Sequence, residues 1–135
     1  MTISQEQAEE IGRRYTKAWC SHVPESVASF YAENGRIVIN GGDPSEGREA
    51  IAKMAHGFFS AFSDLIVKMD LIRTSGTHTV YLWTLEGTNR GPDGTGNRVK
   101  VSGWEHWHMT EDCLIAESAG HFDAAYYERQ LAGRG

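Results

Sequence analysis

The chain has 135 residues, of which 40% are apolar, 10% aromatic and 23% charged. This length and balance predict a single globular domain, residues 1–135, that buries its core without disulfide or metal staples. Thirteen basic against eighteen acidic residues give a net charge of −5, and this acidic balance argues against binding to nucleic acid or to anionic membrane surfaces.

No segment of the sequence is typical of a membrane or secreted protein. The longest stretch without a charged residue has twelve residues, from 74 to 85, whereas a membrane-spanning helix needs about twenty apolar residues. The first six residues, MTISQE, lack the basic and apolar regions of a signal peptide. We therefore expect a cytoplasmic protein.

Side chains with rings are abundant, since the chain has four Trp, five Tyr, five Phe and six His. Aromatic rings line either cores or apolar ligand pockets. The two cysteines, Cys20 and Cys113, are far apart in the sequence and belong to no Cys-x-x-Cys pair. Neither a disulfide framework nor a zinc knuckle is therefore predicted.

The first sixty residues have the pattern of helices. Ser4 and Gln7 resemble a capping box ahead of an amphipathic helix over residues 4–21. Pro24 begins a second, short helical segment that ends at residues 34–35, and a third helix is predicted over 48–62. A short strand at 36–39 and a turn at 41–44 separate the second helix from the third.

The second half of the chain has the pattern of strands, because it is rich in Val, Ile, Thr and Trp. Four strands are predicted over residues 65–72, 77–89, 98–109 and 114–121, followed by a helix over 124–131. Helices followed by a run of strands indicate an α+β fold with an antiparallel sheet packed on helices. The glycine-rich segment 91–96 lacks the ending of a phosphate-binding loop and is predicted to join two strands of a hairpin.

Four stretches of the sequence stand out by their order and spacing: 84–91 (TLEGTNRG), 102–107 (SGWEHW), 114–118 (LIAES) and 122–131 (FD, then QL at its end). With the order of elements, they make the chain resemble the SnoaL-like branch of the nuclear transport factor 2 (NTF2)-like superfamily, from about residue 5 to 131. The resemblance implies an NTF2-like cone, in which a strongly curved antiparallel sheet wraps around three N-terminal helices and encloses a ligand pocket. It also implies a homodimer that pairs through the outer face of the sheet.

Similarity to the ketosteroid isomerases of this superfamily implies roles for particular residues. Tyr15 on the first helix matches their oxyanion-binding tyrosine, and Glu105 on the third long strand matches the second, acidic oxyanion donor. The position of the proton-transferring aspartate is occupied by Ile39, which cannot exchange a proton. Asn40 is the nearest polar residue and would enter the pocket if a bulge turned it inward. The aspartate of the epoxide hydrolases is matched by Gly120.

Pairing across the last hairpin decides which side chains face the pocket. If Met109 pairs with Leu114, Glu105 lies opposite Ser118 and Trp107 lies opposite residue 116. This register places on the pocket side Glu105, Trp107, Ser118, Gly120 and Phe122, and on the outer side Trp104, His106, His108, Glu117 and His121. A slip by one residue would exchange the two sets.

The four candidate catalytic residues each have a structural alternative. Tyr15 suits a core hydroxyl as well as an oxyanion donor. Glu105 would be costly to bury unless it were paired in a salt bridge or protonated. Asp123 directly precedes the last predicted helix, where an N-cap is favoured. His121 could act as an acid or base near neutral pH, or contribute to an interface on the outer face.

A further group of residues is expected to contact a ligand, although four of them, Trp19, Phe59, Trp83 and Trp107, also suit the core. The whole group is Trp19, Asn40, Phe59, Trp83, Trp107 and Phe122. The imidazoles of His106 and His108 alternate onto one face with His121, but no ligand spacing supports a metal, so no metal site is predicted.

The resemblance, with the two matched positions, implies an enzyme without cofactor that transfers a proton or closes a ring on a small apolar substrate with a carbonyl group. Tyr15 and Glu105 would stabilise the enolate oxygen while the rings exclude water. The alternative is a dimeric binding protein that holds an apolar ligand unchanged, which Ile39 at the base position favours. A third reading is a protein-interaction module whose pocket is filled by the same rings.

Overall fold

The computed structural model describes residues 2–134 and contains four helices and six strands within them. In chain order they are α1 (Gln5–Ser21), α2 (Pro24–Ala28), β1 (Tyr31–Ile39), β2 (Ser45–Glu46), α3 (Gly47–Ala61), β3 (Ile66–Ser75), β4 (His78–Thr88), β5 (Arg98–Met109), β6 (Ile115–Phe122) and α4 (Ala124–Leu131). The predicted α+β class is confirmed.

Helix α1 begins where the sequence predicts. The Ser4 hydroxyl accepts from the Gln7 backbone N–H at 3.0 Å, and the Gln7 side chain accepts from the Ser4 N–H at 2.9 Å, so the capping box is complete. Gly12 lets the helix lie close against the sheet, because a Cβ there would come within 2.6 Å of Met69 Sδ. This close approach brings the buried face of α1 against β3.

The second helix is shorter than predicted, because the chain becomes extended at Tyr31 rather than remaining helical to residues 34–35. Helix α2 ends at Ala28, and the Phe30 carbonyl accepts from the Ile115 N–H at 2.8 Å. Tyr31 then opens β1 with its side chain fully buried. Pairing with a strand distant in sequence overrides a local helical pattern here. The two-residue strand β2 was not predicted either.

The sheet has the strand order β2-β1-β6-β5-β4-β3. Among residues 2–134, four of the five strand pairings are antiparallel, and β1 pairs with β6 in parallel. The ladder is interrupted between Met69 and Leu71 on β3 and between His108 and Met109 on β5. Bulges of this kind increase local twist and bend a sheet. The inner face packs against α1 and α3.

The last hairpin differs from the predicted register. Met109 pairs with Ile115 rather than Leu114, and the irregularity beside it places Glu105 opposite Gly120 and Trp107 opposite Ser118. The predicted pairing of Glu105 with Ser118 is therefore wrong by two residues. Because side chains alternate with a period of two, this even offset keeps residues 117–122 on their predicted faces.

Helix α4 is fixed at both ends by side chains. The Asp123 carboxylate accepts from the Tyr126 N–H at 3.0 Å, so Asp123 is the N-cap. Near the other end, Gln130 accepts from the Lys100 N–H at 2.6 Å and donates to the Lys100 carbonyl at 2.9 Å. Strand β6 has ended before it reaches Lys100, so Gln130 satisfies backbone groups that a longer strand would have paired. This attachment holds Tyr127 over the inner face of the sheet.

Candidate active site

An apolar cavity opens on the inner face of the sheet. The empty space within it and at its mouth, open solvent included, is about 640 Å³. Its lining consists of Trp19, Ile37, Ile39, Met54, Phe58, Val67, Tyr81, Trp83, Leu85, Val101, Glu105, Gly120, His121, Phe122 and Tyr127. Glu105 is the only carboxylate among these lining residues.

The Glu105 carboxyl is held by four hydrogen-bonding side chains from four elements. Its Oε1 atom lies 2.9 Å from Trp107 Nε1, 2.8 Å from Ser118 Oγ, 3.0 Å from the Tyr15 hydroxyl and 3.3 Å from the Tyr31 hydroxyl. Its Oε2 atom lies 3.2 Å from the Tyr15 hydroxyl. The two tyrosine hydroxyls are 2.9 Å apart. All these groups are buried, so the carboxyl is the centre of a closed polar network.

Burial raises the pKa of Glu105 above the ordinary value for a glutamate, and the hydrogen bonds from Trp107, Ser118, Tyr15 and Tyr31 offset only part of this rise. Burial, and then the charge of Glu105, likewise raise the pKa values of Tyr15 and Tyr31 well above that of a free phenol. Burial therefore makes the neutral, protonated form of Glu105 more favourable than it is for an exposed glutamate. A neutral carboxyl beside an apolar cavity can donate a hydrogen bond to a bound oxygen atom.

Two of the predicted site residues belong to the network but do not line the cavity. Tyr15 is fully buried behind Glu105, with its hydroxyl turned towards that carboxyl and towards Tyr31. Trp107 is fully buried as well. Its ring stacks on Tyr81, and its indole N–H donates a hydrogen bond to Glu105. Both residues can influence a bound ligand through Glu105, but neither lies where it would contact the ligand directly.

Three of the predicted ligand contacts do line the cavity: Trp19, Trp83 and Phe122. Trp83 lies over Gly103, where a Cβ would come within 2.6 Å of the indole ring. Its ring contacts Phe122 at 6.1 Å between centroids, and Phe122 contacts Tyr127 at 5.4 Å. Because Gly103 has no side chain, the Trp83 ring can lie against the sheet and form one aromatic wall of the cavity.

Asn40 and Phe59, which the sequence predicts as ligand contacts, do not line this cavity. Asn40 is exposed, has a φ of 52° and accepts from the Phe122 N–H at 2.9 Å through its side-chain oxygen. This hydrogen bond fastens the end of β1 to the end of β6. Asparagine tolerates the left-handed backbone conformation found at this position. Phe59 lies behind Trp19 and His22 in the core, at ring distances of 5.5 and 4.7 Å.

The two other predicted catalytic residues have structural contacts. Asp123 caps α4 and does not line the cavity. His121 borders the cavity, and its ring packs against Trp104 at 5.2 Å on the other side of the sheet. Ile39, at the position where the resemblance implies a base, lines the cavity with an apolar side chain.

Sequence reasoning did not assign Tyr31 and Tyr81 to the site. Tyr81 lies directly opposite Glu105 across the β4–β5 ladder, lines the cavity, and bonds to the Thr16 hydroxyl at 2.5 Å. Burial raises the pKa of Tyr81. The alternation of residues along β4 could have indicated that Tyr81 faces inward. Its position opposite Glu105, however, depends on the β4–β5 register, which the tertiary fold sets. Tyr31 was hidden by the helical pattern around it.

The outer face of the same strands carries a row of stacked imidazoles. His78 contacts His106 through ring nitrogens 3.0 Å apart and stacks on His108 with centroids 4.9 Å apart. No cluster of His, Cys, Asp or Glu within residues 2–134 has an arrangement that could hold a metal ion. Over the same residues, no helix is long and apolar enough to cross a membrane.

The comparison with protein families matches residues 12–118 to the SnoaL-like domain. The chain belongs to the SnoaL-like family. This confirms the resemblance to the SnoaL-like branch of the NTF2-like superfamily seen in the sequence. No curated protein matched the sequence.

Solved structures support the same fold at low sequence identity. A candidate SnoaL-like polyketide cyclase from a Jannaschia species superposes with a TM-score of 0.85 at 16% identity, covering 98% of this chain and 97% of that one. TsrD from Streptomyces laurentii superposes with a TM-score of 0.82 at 19% identity, covering 98% and 99%. A ketosteroid isomerase-like protein from Catenulispora acidiphila, solved with trimethylamine, gives 0.80 at 17% identity, covering 91% and 92%. At these identities the likeness establishes the fold.

Proposed function

We propose that this SnoaL-like protein is a cofactor-independent enzyme that catalyses proton transfer, as in isomerisation or cyclisation, on a small apolar substrate with a carbonyl group. The observation that carries the proposal is the buried Glu105 carboxyl at the wall of an otherwise apolar, aromatic cavity. Apolar walls would bind the substrate's carbon skeleton, and Glu105 is the polar group that selects an oxygen atom. The Jannaschia relative's description as a candidate polyketide cyclase agrees with such a substrate.

Glu105 would act as the electrophile of the reaction. In its neutral form it donates a hydrogen bond to the carbonyl oxygen, and this bond strengthens as negative charge develops on that oxygen in the enolate. Since the surrounding rings exclude water, the interaction operates in a low effective dielectric. Tyr15 and Tyr31 would support it through Glu105, because their hydroxyls bond to the carboxyl.

The base of the reaction would be His121. It is the one cavity-lining residue, besides Glu105, whose type of side chain commonly takes up a proton near neutral pH. Its ring packs against Trp104 on the outer face of the sheet, so the role requires a change in the backbone at the end of β6 that brings the imidazole to the cavity. Replacement of His121 by Asn is expected to lower proton exchange with solvent while ligand affinity is retained.

Hydrogen–deuterium exchange at carbon tests this proposal without knowledge of the product. A panel of apolar cyclic ketones is incubated with the protein in D₂O, and loss of the proton next to the carbonyl is followed by NMR. We expect exchange with the native chain and a reduction of at least about 100-fold in Glu105→Ala. Glu117→Gln, on the exposed face of the same hairpin, is the control and should keep the native rate.

A second candidate function is binding without chemistry, and Ile39 favours it. This side chain lines the cavity at the position where related enzymes are expected to hold a base. The same ketone panel separates the two functions. Stoichiometric recovery of an unchanged, unexchanged ligand after long incubation would overturn the enzymatic proposal and support a binding protein.

We also propose that the outer face of the sheet pairs with a second copy of the chain. Trp104 and Val80 are 46% and 37% exposed there, beside the imidazole row of His78, His106 and His108. Exposed apolar area bordered by polar groups is typical of protein interfaces. Sedimentation analysis should find a dimer that Trp104→Glu converts to a monomer, whereas Lys17→Glu on the exposed side of α1 leaves it intact. A monomeric native chain would contradict the proposal.

A further inference from the structure

The two oxygen atoms of Glu105 have unequal surroundings. Oε1 lies within 2.9 Å of Trp107 Nε1 and 2.8 Å of Ser118 Oγ, whereas the Tyr15 hydroxyl is the only group within hydrogen-bond distance of Oε2 among residues 2–134. An indole N–H can donate a hydrogen bond but cannot accept one. Oε1 must therefore accept from Trp107 in every protonation state of the network.

The serine strengthens this asymmetry. Ser118 is fully buried, and its hydroxyl lies 2.8 Å from Oε1, with the Tyr31 hydroxyl as its other hydrogen-bonding neighbour. Because a buried hydroxyl seeks an acceptor for its proton and Oε1 lies at the usual O–H···O distance, Ser118 also donates to Oε1. Trp107 and Ser118 are directly paired across β5 and β6, so both donors reach Oε1 from one rung of the ladder.

The tyrosines complete a consistent pattern for a proton on Oε2. A proton there would be donated to the Tyr15 hydroxyl at 3.2 Å. Tyr15 can then donate to Tyr31 at 2.9 Å, and Tyr31 to Oε1 at 3.3 Å. Each hydroxyl then donates once and accepts once. A proton on Oε1 would instead point at the donors Trp107 and Ser118 and leave one of them without an acceptor.

We propose that Trp107 and Ser118 are positioning residues, which hold Oε1 of Glu105 as the accepting atom and thereby confine the carboxyl proton to Oε2. This proposal deepens the proposed function, on which its catalytic consequence rests, because it names the oxygen that donates to the substrate's carbonyl. A ligand oxygen would then replace Tyr15 as the acceptor for the Oε2 proton.

Infrared spectroscopy of the ligand-free protein tests the inference. The C=O stretch of protonated Glu105 is identified as the band lost in Glu105→Gln, and its intensity is followed from acid to alkaline pH. Removal of a donor from the carbonyl oxygen strengthens the C=O bond. We therefore expect Ser118→Ala and Trp107→Phe each to shift the band to higher frequency and to raise its titration midpoint by about one pH unit.

Two variants separate positioning from general loss of structure. Ser118→Thr keeps the hydroxyl and should restore the native band, and Ser102→Ala, an exposed serine on β5, should leave it unchanged. Since Trp107→Phe removes a large buried indole, Ser118→Ala alone decides the outcome if that variant fails to fold. An unshifted or lowered band in Ser118→Ala would overturn the proposal. Because no ligand is present, this result is independent of whether ketones are turned over.

Discussion

The two faces of strand β5 use similar side chains in different ways. On the inner face, Glu105 and Trp107 are buried, and every polar atom they carry is bonded to another buried group. On the outer face, Trp104 is 46% exposed and His106 meets another exposed imidazole. The role of a ring or titratable group on β5 therefore depends on the face of the strand on which its side chain lies. The following substitutions compare the faces directly, beginning with the largest expected effect.

Replacement of the two indoles should give the largest contrast. Trp107→Ala leaves a cavity in the core and removes a donor from Glu105, so we expect the free energy of unfolding to fall by about 4 kcal/mol. Trp104→Ala should change it by no more than about 0.5 kcal/mol, because this ring is half exposed. Urea denaturation at a protein concentration that favours the monomer measures both. Equal losses would show that burial does not separate the two faces.

The pH dependence of stability should distinguish the two carboxyl groups. Burial raises the pKa of Glu105 in the folded chain, so the folded state retains this proton at pH values where the unfolded state has released it. The contribution of Glu105 to stability is therefore fully present below the ordinary glutamate pKa and declines as the pH rises towards the raised value. Glu105→Gln should abolish this decline, whereas Glu117→Gln should retain it, as measured by denaturation across the pH range.

Hydrogen bonds on the two faces should differ by a smaller amount. Tyr15→Phe leaves Glu105 and Tyr31 with one partner fewer inside the core, and we expect a loss of about 1 to 2 kcal/mol. His106→Gln breaks a contact between exposed rings, so its effect should stay within about 0.5 kcal/mol. Chemical denaturation at one fixed pH compares the two. A larger loss for His106→Gln would reverse the assignment of the faces.

The smallest effect on stability is expected at Gly120. An added Cβ would lie 3.6 Å from Glu105 Cγ and 3.9 Å from Ile39 Cγ1, which is ordinary contact. Gly120→Ala should therefore change the free energy of unfolding by no more than about 0.5 kcal/mol. It should nevertheless weaken binding of apolar ketones, because the methyl group enters the cavity beside Glu105. Ala119→Ser, one residue away on the other face, is the control for calorimetric titration.

Local sequence patterns determined the helices α1, α3 and α4, the strands β3 to β6 and the α+β class. Ser4 with Gln7, and Asp123, are capping residues whose function depends on neighbours within four positions. The alternation of apolar and polar residues also separated the two faces of the last hairpin correctly. This information is local, because a helical or extended backbone fixes which side chains share a face.

Contacts between distant parts of the chain decided the rest. The sequence by itself, through the resemblance to ketosteroid isomerases, predicted Tyr15 and Glu105 as a pair, and the two side chains lie within hydrogen-bond distance. Only the tertiary structure decided that Tyr15 lies behind Glu105, that Tyr31 leaves its helical pattern for a strand, and that Trp107 donates to the carboxyl. The reason is physical: these arrangements depend on strand register and on the satisfaction of buried polar atoms, and partners up to 90 residues apart settle both together.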